Sequence, residues 1–182
     1  GDTGFFLEST SYDPQSPYSA SKASSDHFVR AYANTYGLPI VVSNCSNNYG
    51  PNQFPEKLLP LCINNIKEKK PLPIYGKGDN IRDWLYVVDH ARAIDDIYHK
   101  GKDGETYNIG GGQSVELLYA VRKILSLTDS SSNLQFMVRA LGDQNRTMAD
   151  FSKAGSELGF QPKVLFEEGI ESQIEWQRSK QE

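Results

Sequence analysis

Cysteine is scarce in this sequence: Cys45 and Cys62 stand 17 residues apart, with no Cys-x-x-Cys pair and no histidine cluster beside them. Neither a disulfide framework nor a zinc site is expected, and a reducing cytoplasm is the compartment that fits. His27, His90 and His99 lack ligand-like spacing, so no metal is expected. Basic charge is not in excess. A net charge of −4 and an isoelectric point near 5.4 leave no footprint for nucleic-acid phosphates, so the expected partners are small molecules. No apolar run approaches a membrane span and no signal peptide opens the chain, which argues against a membrane partner. The first residues, Gly1-Asp2-Thr3-Gly4, are turn-like, as though cut from a longer chain. Also missing is any Gly-x-Gly-x-x-Gly or Gly-x-x-Gly-x-x-Gly turn, the device by which an α/β sheet seats a dinucleotide pyrophosphate on a helix N-terminus. A dinucleotide site carried here would be half absent.

What is present reads as alternating helices and strands. The 182 residues, 38% of them hydrophobic, are enough for one domain with a sizeable core. Residues 17–36 carry apolar side chains at helical spacings and end at Gly37, and the β-branched run from Pro39 to Asn44 reads as a buried strand. Asn47 to Asn52 is a dense turn signal, followed by a helix over 54–69. Short strands are expected over 71–75, 83–88, 106–109 and near 134–138, with helices over 89–99, 115–127, 152–158 and 167–176. Trp84, Leu85 and Tyr86 read as core, and Trp176 as a helix-face anchor. The alternation predicts an α/β protein with a parallel or mixed sheet, without internal repeats.

The chemistry-bearing feature is Ser16-Pro17-Tyr18-Ser19-Ala20-Ser21-Lys22. Ser16 is a preferred N-cap and Pro17 suits the first helical position, so Tyr18 falls in the first turn and Lys22 one turn later on the same face. The lysine charge favours the phenolate, and a tyrosine so placed can take a proton from an alcohol. The spacing by itself is weak, since 10 Tyr and 12 Lys in 182 residues give roughly 0.7 chance matches. Of the three matches present, Tyr98/Lys102 runs off a helix end and Tyr119/Lys123 reads as an ordinary helix pair. Only Tyr18/Lys22 has the Ser-Pro entry.

Together with Asn44-Cys45-Ser46-Asn47-Asn48-Tyr49-Gly50-Pro51, Phe54-Pro55-Glu56-Lys57-Leu58 and Tyr75-Gly76-x-Gly78-x-x-Ile81-Arg82-Asp83-Trp84, this block closely resembles the extended short-chain dehydrogenase/reductase family, in particular its nucleotide-sugar 4,6-dehydratases. The resemblance implies the C-terminal part of an NAD(P)-binding Rossmann-like fold in residues 1–50. Residues 51–182 would be mainly a smaller sugar-nucleotide-binding α/β subdomain with returns to the Rossmann sheet. It implies NAD as cofactor, a dTDP-sugar as substrate, oxidation at C4, loss of water across C5 and C6, hydride return to C6, and a homodimer. Tyr18 would be the base and Lys22 would hold the nicotinamide ribose, with Asn48 against the cofactor. Asn47, Lys57, Leu58, Pro73, Ile74, Tyr75 and Arg82 would contact the sugar nucleotide, Arg82 through its planar two-donor fork.

The sequence departs from the family pattern in three places. The Thr-Asp-Glu that supplies the elimination acid and base is absent, which with the missing glycine-rich loop makes the chain look like the C-terminal half of such an enzyme and predicts that it is inactive alone. The family's Asp-Arg-Pro-Gly-His stretch corresponds to Arg139-Ala140-Leu141-Gly142-Asp143, with aspartate in place of histidine. Leu117 stands where the family has asparagine. The C-terminal third looks more like UDP-sugar 4-epimerases, which leaves a UDP-sugar epimerase, or an inactive binding fragment, as the alternatives.

Overall fold

Ser16 begins the first helix as the sequence demands: its side chain accepts from the Ser19 N–H at 3.1 Å, Pro17 follows, and α1 (Pro17–Tyr36) closes on Gly37 in the left-handed conformation. The computed structural model describes residues 4–139 and 143–180; Gly1 to Thr3 of the expected opening turn, and Ala140 to Gly142 of the stretch matched to the family's Asp-Arg-Pro-Gly-His, lie outside the described residues.

Three small sheets follow. β1 (Val42–Cys45) pairs in parallel with β5 (Thr106–Ile109), Val42 opposite Thr106. β2 (Asn47–Tyr49) runs parallel to β4 (Ile81–Tyr86), which also pairs antiparallel with β6 (Ser114–Glu116) and parallel with β8 (Arg146–Thr147). β3 (Leu72–Tyr75) pairs in parallel with β7 (Leu134–Met137). The remaining helices are α2 (Leu58–Lys67), α3 (Val87–Lys100), α4 (Leu117–Leu127), α5 (Ser152–Leu158) and α6 (Phe166–Ser179). This is the mixed α/β architecture with parallel pairing that the alternation implied.

Two apolar cores hold the layers together. One gathers Tyr49, Leu59, Ile63, Ile74, Trp84, Val121, Ile124, Phe166 and Ile170 beneath α2, α4 and α6. The other packs Leu85, Ala93, Ile97, Tyr107, Ile109, Leu158 and Phe160 between α3, α5 and β5. α1 belongs to neither and has no buried residue. Among the described residues no helix is long and apolar enough to cross a membrane.

The structure corrects several expected boundaries. Asn47 and Asn48, read as the start of a turn, are strand residues, because pairing with Trp84 and Leu85 outweighs their local turn preference. The helix expected from 115 starts at Leu117, since β4 captures Ser114–Glu116. The helix expected from 54 starts at Leu58, and the strand expected over 39–44 is Val42–Cys45. β8, two residues long, carried no local signal. Trp84 and Leu85 are buried as expected, whereas Trp176 is only half-buried, with the Lys180 ammonium over its ring.

Candidate active site

Parallel pairing of β2 with β4 sets Asn47 beside Trp84, and residues from several separate segments line one cavity of about 650 Å3. Asn47 and Asn48 come from β2, Gln53 and Phe54 from the turn after it, and Lys57 and Leu58 from the start of α2. β3 adds Pro73, Ile74 and Tyr75, and β4 adds Arg82 and Trp84. Leu117 and Asp143 complete the lining. All seven expected sugar-nucleotide residues, Asn47, Lys57, Leu58, Pro73, Ile74, Tyr75 and Arg82, are thereby brought together.

Arg82 is largely buried. One guanidinium nitrogen donates to the Ile81 carbonyl at 2.9 Å and another to Asp143 Oδ1 at 2.6 Å. Asp143 Oδ2 accepts from Asn80 Nδ2 at 2.9 Å and lies 3.9 Å from Arg139 Nε. Glu56 also lines the cavity, 3.9 Å from the Lys57 ammonium. Two cations and two carboxylates cancel in formal charge, so an anion would be held here by the directional donors of Arg82 and Lys57 rather than by a net field.

β4 is braced from beneath. Asp83, 1% exposed, accepts from Ser46 Oγ at 2.6 Å and from the Gly111 and Gln113 N–H groups at 3.0 and 3.3 Å. The run Gly110-Gly111-Gly112 is explained by this approach: a Cβ on Gly111 would sit 1.8 Å from the Trp84 carbonyl oxygen. Neighbouring Arg82 and Asp83 thus have separate partners, Asp143 for the first and Ser46, Gly111 and Gln113 for the second.

Tyr18 and Lys22 share a wall of a second, open groove of about 440 Å3, with Ser19, Ala23 and Asp26 of α1, Tyr12 before it, and Asn44 and Asn108 from β1 and β5. Tyr18 is 74% exposed, open to a hydroxyl-bearing ligand. Tyr12 Oη donates to Asp26 Oδ2 at 2.7 Å, and burial together with this carboxylate raises the Tyr12 phenol above its ordinary value. A smaller depression of about 350 Å3 shares Asn44 and Asn108 with the groove and Asn47 with the larger cavity.

Asn48 does not join Tyr18 and Lys22; it lines the larger cavity. Its Nδ2 approaches Cys45 Sγ at 3.1 Å and the Ser46 carbonyl at 3.3 Å, while its buried Oδ1 has no partner. The orphaned oxygen is an acceptor left for a hydrogen-bond donor of a bound ligand. Asp143, Gln53 and Asn80 were not among the expected site residues. Asp143 was visible in the sequence only as a mismatch, and the other two gave no motif. Among the described residues no three His, Cys, Asp or Glu converge as a metal site would require.

Comparison with known proteins matches residues 2–173 to the family model described as GDP-mannose 4,6 dehydratase. A dTDP-glucose 4,6-dehydratase of Salmonella typhimurium is 53% identical over 179 residues, covering 94% of this chain and 50% of that protein. The chain spans about half the length of the curated relatives it matches. The crystal structure of dTDP-glucose 4,6-dehydratase from Bacillus anthracis in complex with NAD superposes with a TM-score of 0.93 at 43% identity, over 100% of this chain and 58% of that one. UDP-glucuronic acid 4-epimerase from Bacillus cereus, in complex with UDP-glucuronic acid and NAD, superposes at 0.94 with 29% identity, over 98% and 57%.

Proposed function

Because the chain belongs to the GDP-mannose 4,6 dehydratase family and has the fold of extended short-chain dehydrogenases, we propose that it forms the sugar-nucleotide half of an NAD-dependent dTDP-glucose 4,6-dehydratase. The observation that carries this reading is the convergence of Asn47, Lys57, Leu58, Pro73, Ile74, Tyr75 and Arg82 on one cavity. The relatives' names favour dehydration over epimerisation.

In this reading Arg82 and Lys57 donate to the diphosphate, with Asp143 yielding part of its hold on Arg82. Leu58, Ile74 and Tyr75 give the nucleoside an apolar wall. The sugar then reaches towards Tyr18, which takes the proton from the C4 hydroxyl while Lys22 stabilises the phenolate and orients the cofactor ribose. NAD, when bound, supplies the hydride acceptor for C4 and the hydride returned to C6. Lys22 and Tyr18 would hold its nicotinamide end, and this sequence has no glycine-rich turn for its pyrophosphate. The elimination acid and base are likewise not in this sequence, so the isolated chain is expected to bind without turning over.

Residues 1–50 group with the cofactor half and 51–182 mainly with the substrate half; the pairing of β5 with β1 supports one return of the second to the first. The exposed Phe28, Tyr32 and Tyr36 of α1 support a homodimer packed through that helix. Two unpaired thiols support a reducing, cytoplasmic setting.

The test is conversion of dTDP-glucose by the whole protein, followed by proton NMR. Dehydration replaces the C6 hydroxymethyl signals with a methyl signal, whereas epimerisation leaves the hydroxymethyl and alters only the ring couplings. The second outcome, or turnover of UDP-sugars alone, would overturn the reading.

A further inference from the structure

Gly50 follows β2, and its N–H points to the inside of the protein, where it needs an acceptor that no strand supplies. That acceptor is Gln173 of α6, a residue 1% exposed, whose Oε1 lies 3.1 Å from the Gly50 nitrogen. A backbone N–H can only donate, so the amide oxygen of Gln173 is fixed there and its nitrogen is left to donate elsewhere. It donates to Gln53 Oε1 at 3.0 Å, and Gln53 in turn gives its own amide nitrogen to the Asn48 carbonyl at 2.8 Å. Backbone groups at both ends fix the direction of the chain, leaving neither glutamine a choice of orientation.

We infer that Gln173 is a positioning residue for the candidate site, acting through Gln53 on the wall that Asn48, Gln53 and Phe54 make. Gln173 does not itself line the cavity, whereas those three residues do. α6 holds its place independently of this amide, because Phe166, Ile170 and Ile174 are buried in the larger core. The helix is therefore a fixed post, and the relay ties the Gly50-Pro51-Asn52-Gln53 turn to it. The consequence for ligand binding rests on the sugar-nucleotide reading; the geometric consequence does not.

A carboxylate separates the relay from mere packing. In Gln173→Glu, assayed at a pH where the carboxylate is ionised, one oxygen still accepts from Gly50, but the other has no hydrogen for Gln53. Gln53 must then turn its nitrogen towards residue 173, which sets its oxygen against the Asn48 carbonyl. Gln173→Met keeps the side-chain length and removes both bonds.

Two measurements on the chain decide the matter. In the ligand-free protein, amide exchange at Gly50 is expected to accelerate about tenfold or more in Gln173→Met and to remain slow in Gln53→Met, with Tyr107 of β5 unchanged as a control for global opening. Unchanged exchange at Gly50 in Gln173→Met would overturn the inference, as would equal acceleration at Tyr107. For dTDP-glucose and UDP-glucose as probes, Gln173→Glu and Gln53→Met are each expected to weaken affinity about tenfold, and the double variant no further, as for two residues acting through one path. Additive losses, or full affinity in Gln173→Glu, would contradict a positioning role. If the unaltered chain binds neither probe, the sugar-nucleotide reading fails, and the exchange experiment still decides the role of Gln173.

Discussion

Two helical glycines give opposite expectations for the same substitution. Gly155 lies in α5, and a Cβ built there would meet nothing closer than the Phe160 carbonyl oxygen at 3.5 Å, an ordinary contact. Gly155→Ala should therefore keep the helix-propensity gain, about 0.5–1 kcal/mol of added stability. Gly169 lies in α6, where the same Cβ would fall 2.2 Å from Tyr49 Oη, 2.7 Å from Cζ and 2.8 Å from Cε2. Tyr49 cannot retreat, being 1% exposed and packed against the rings of Trp84, Tyr86 and Phe166 at centroid distances of 6.0, 5.6 and 5.3 Å. Overpacking of this kind costs about 1–3 kcal/mol, and three atoms inside contact distance put this site at or above the upper end. Against a propensity gain of about 1 kcal/mol, Gly169→Ala is expected to lose about 2 kcal/mol or more net, a fall of roughly 4–8 °C in Tm for a chain of this size. Urea unfolding followed by circular dichroism and tryptophan fluorescence measures both variants. A Gly169→Ala protein as stable as the parent would refute the claim that α6 seats on Tyr49, and with it the fixed post from which Gln173 acts.

Tyr18 is exposed on a helix without buried residues, so Tyr18→Phe is expected to change stability by less than about 0.5 kcal/mol. In the whole protein the same change should cost about 10²–10⁴ in turnover, read by steady-state kinetics with dTDP-glucose. Cys45 is exposed and Cys62 buried, the latter's thiol pushed up to about 12 by burial. A thiol reagent should thus titrate one cysteine rapidly in the folded chain and the second only on unfolding. Cys62 and Tyr49 are both raised by burial above their unfolded values. Their contribution is whole below those unfolded values, about 8.5 for cysteine and 10 for tyrosine, and is lost as pH rises towards the folded ones. Unfolding free energy should fall above about pH 9, by up to about 1.4 kcal/mol per pH unit for each group. A flat profile from pH 8 to 11 would contradict the burial of both.

What could be read from the sequence was whatever is encoded locally. Ser16-Pro17 and Gly37 bracket α1, and Thr106 to Ile109 before three glycines marks β5 to the residue. Asn47-Asn48 has turn chemistry but strand geometry, because its partner is β4, far along the chain, and pairing registers are not written in a local run of residues. β6 was hidden inside an amphipathic pattern that continues into α4. The cavity residues were legible because they sit in contiguous blocks of motif. Asp143 against Arg82 was not, since the pair joins segments 61 residues apart. The Gln173–Gln53–Asn48 relay was invisible for the same reason, two glutamines on unrelated elements forming one path only after folding.

The most direct test of the proposed site is ligand-observed NMR of this chain with dTDP-glucose and with UDP-glucose, each with and without NAD. Saturable binding of dTDP-glucose is expected, tighter than that of UDP-glucose and weakened in Arg82→Met. Preference for UDP-glucose would contradict the dehydratase assignment in favour of the epimerase, and binding of neither sugar nucleotide, with NAD present, would contradict the claim that this cavity holds one.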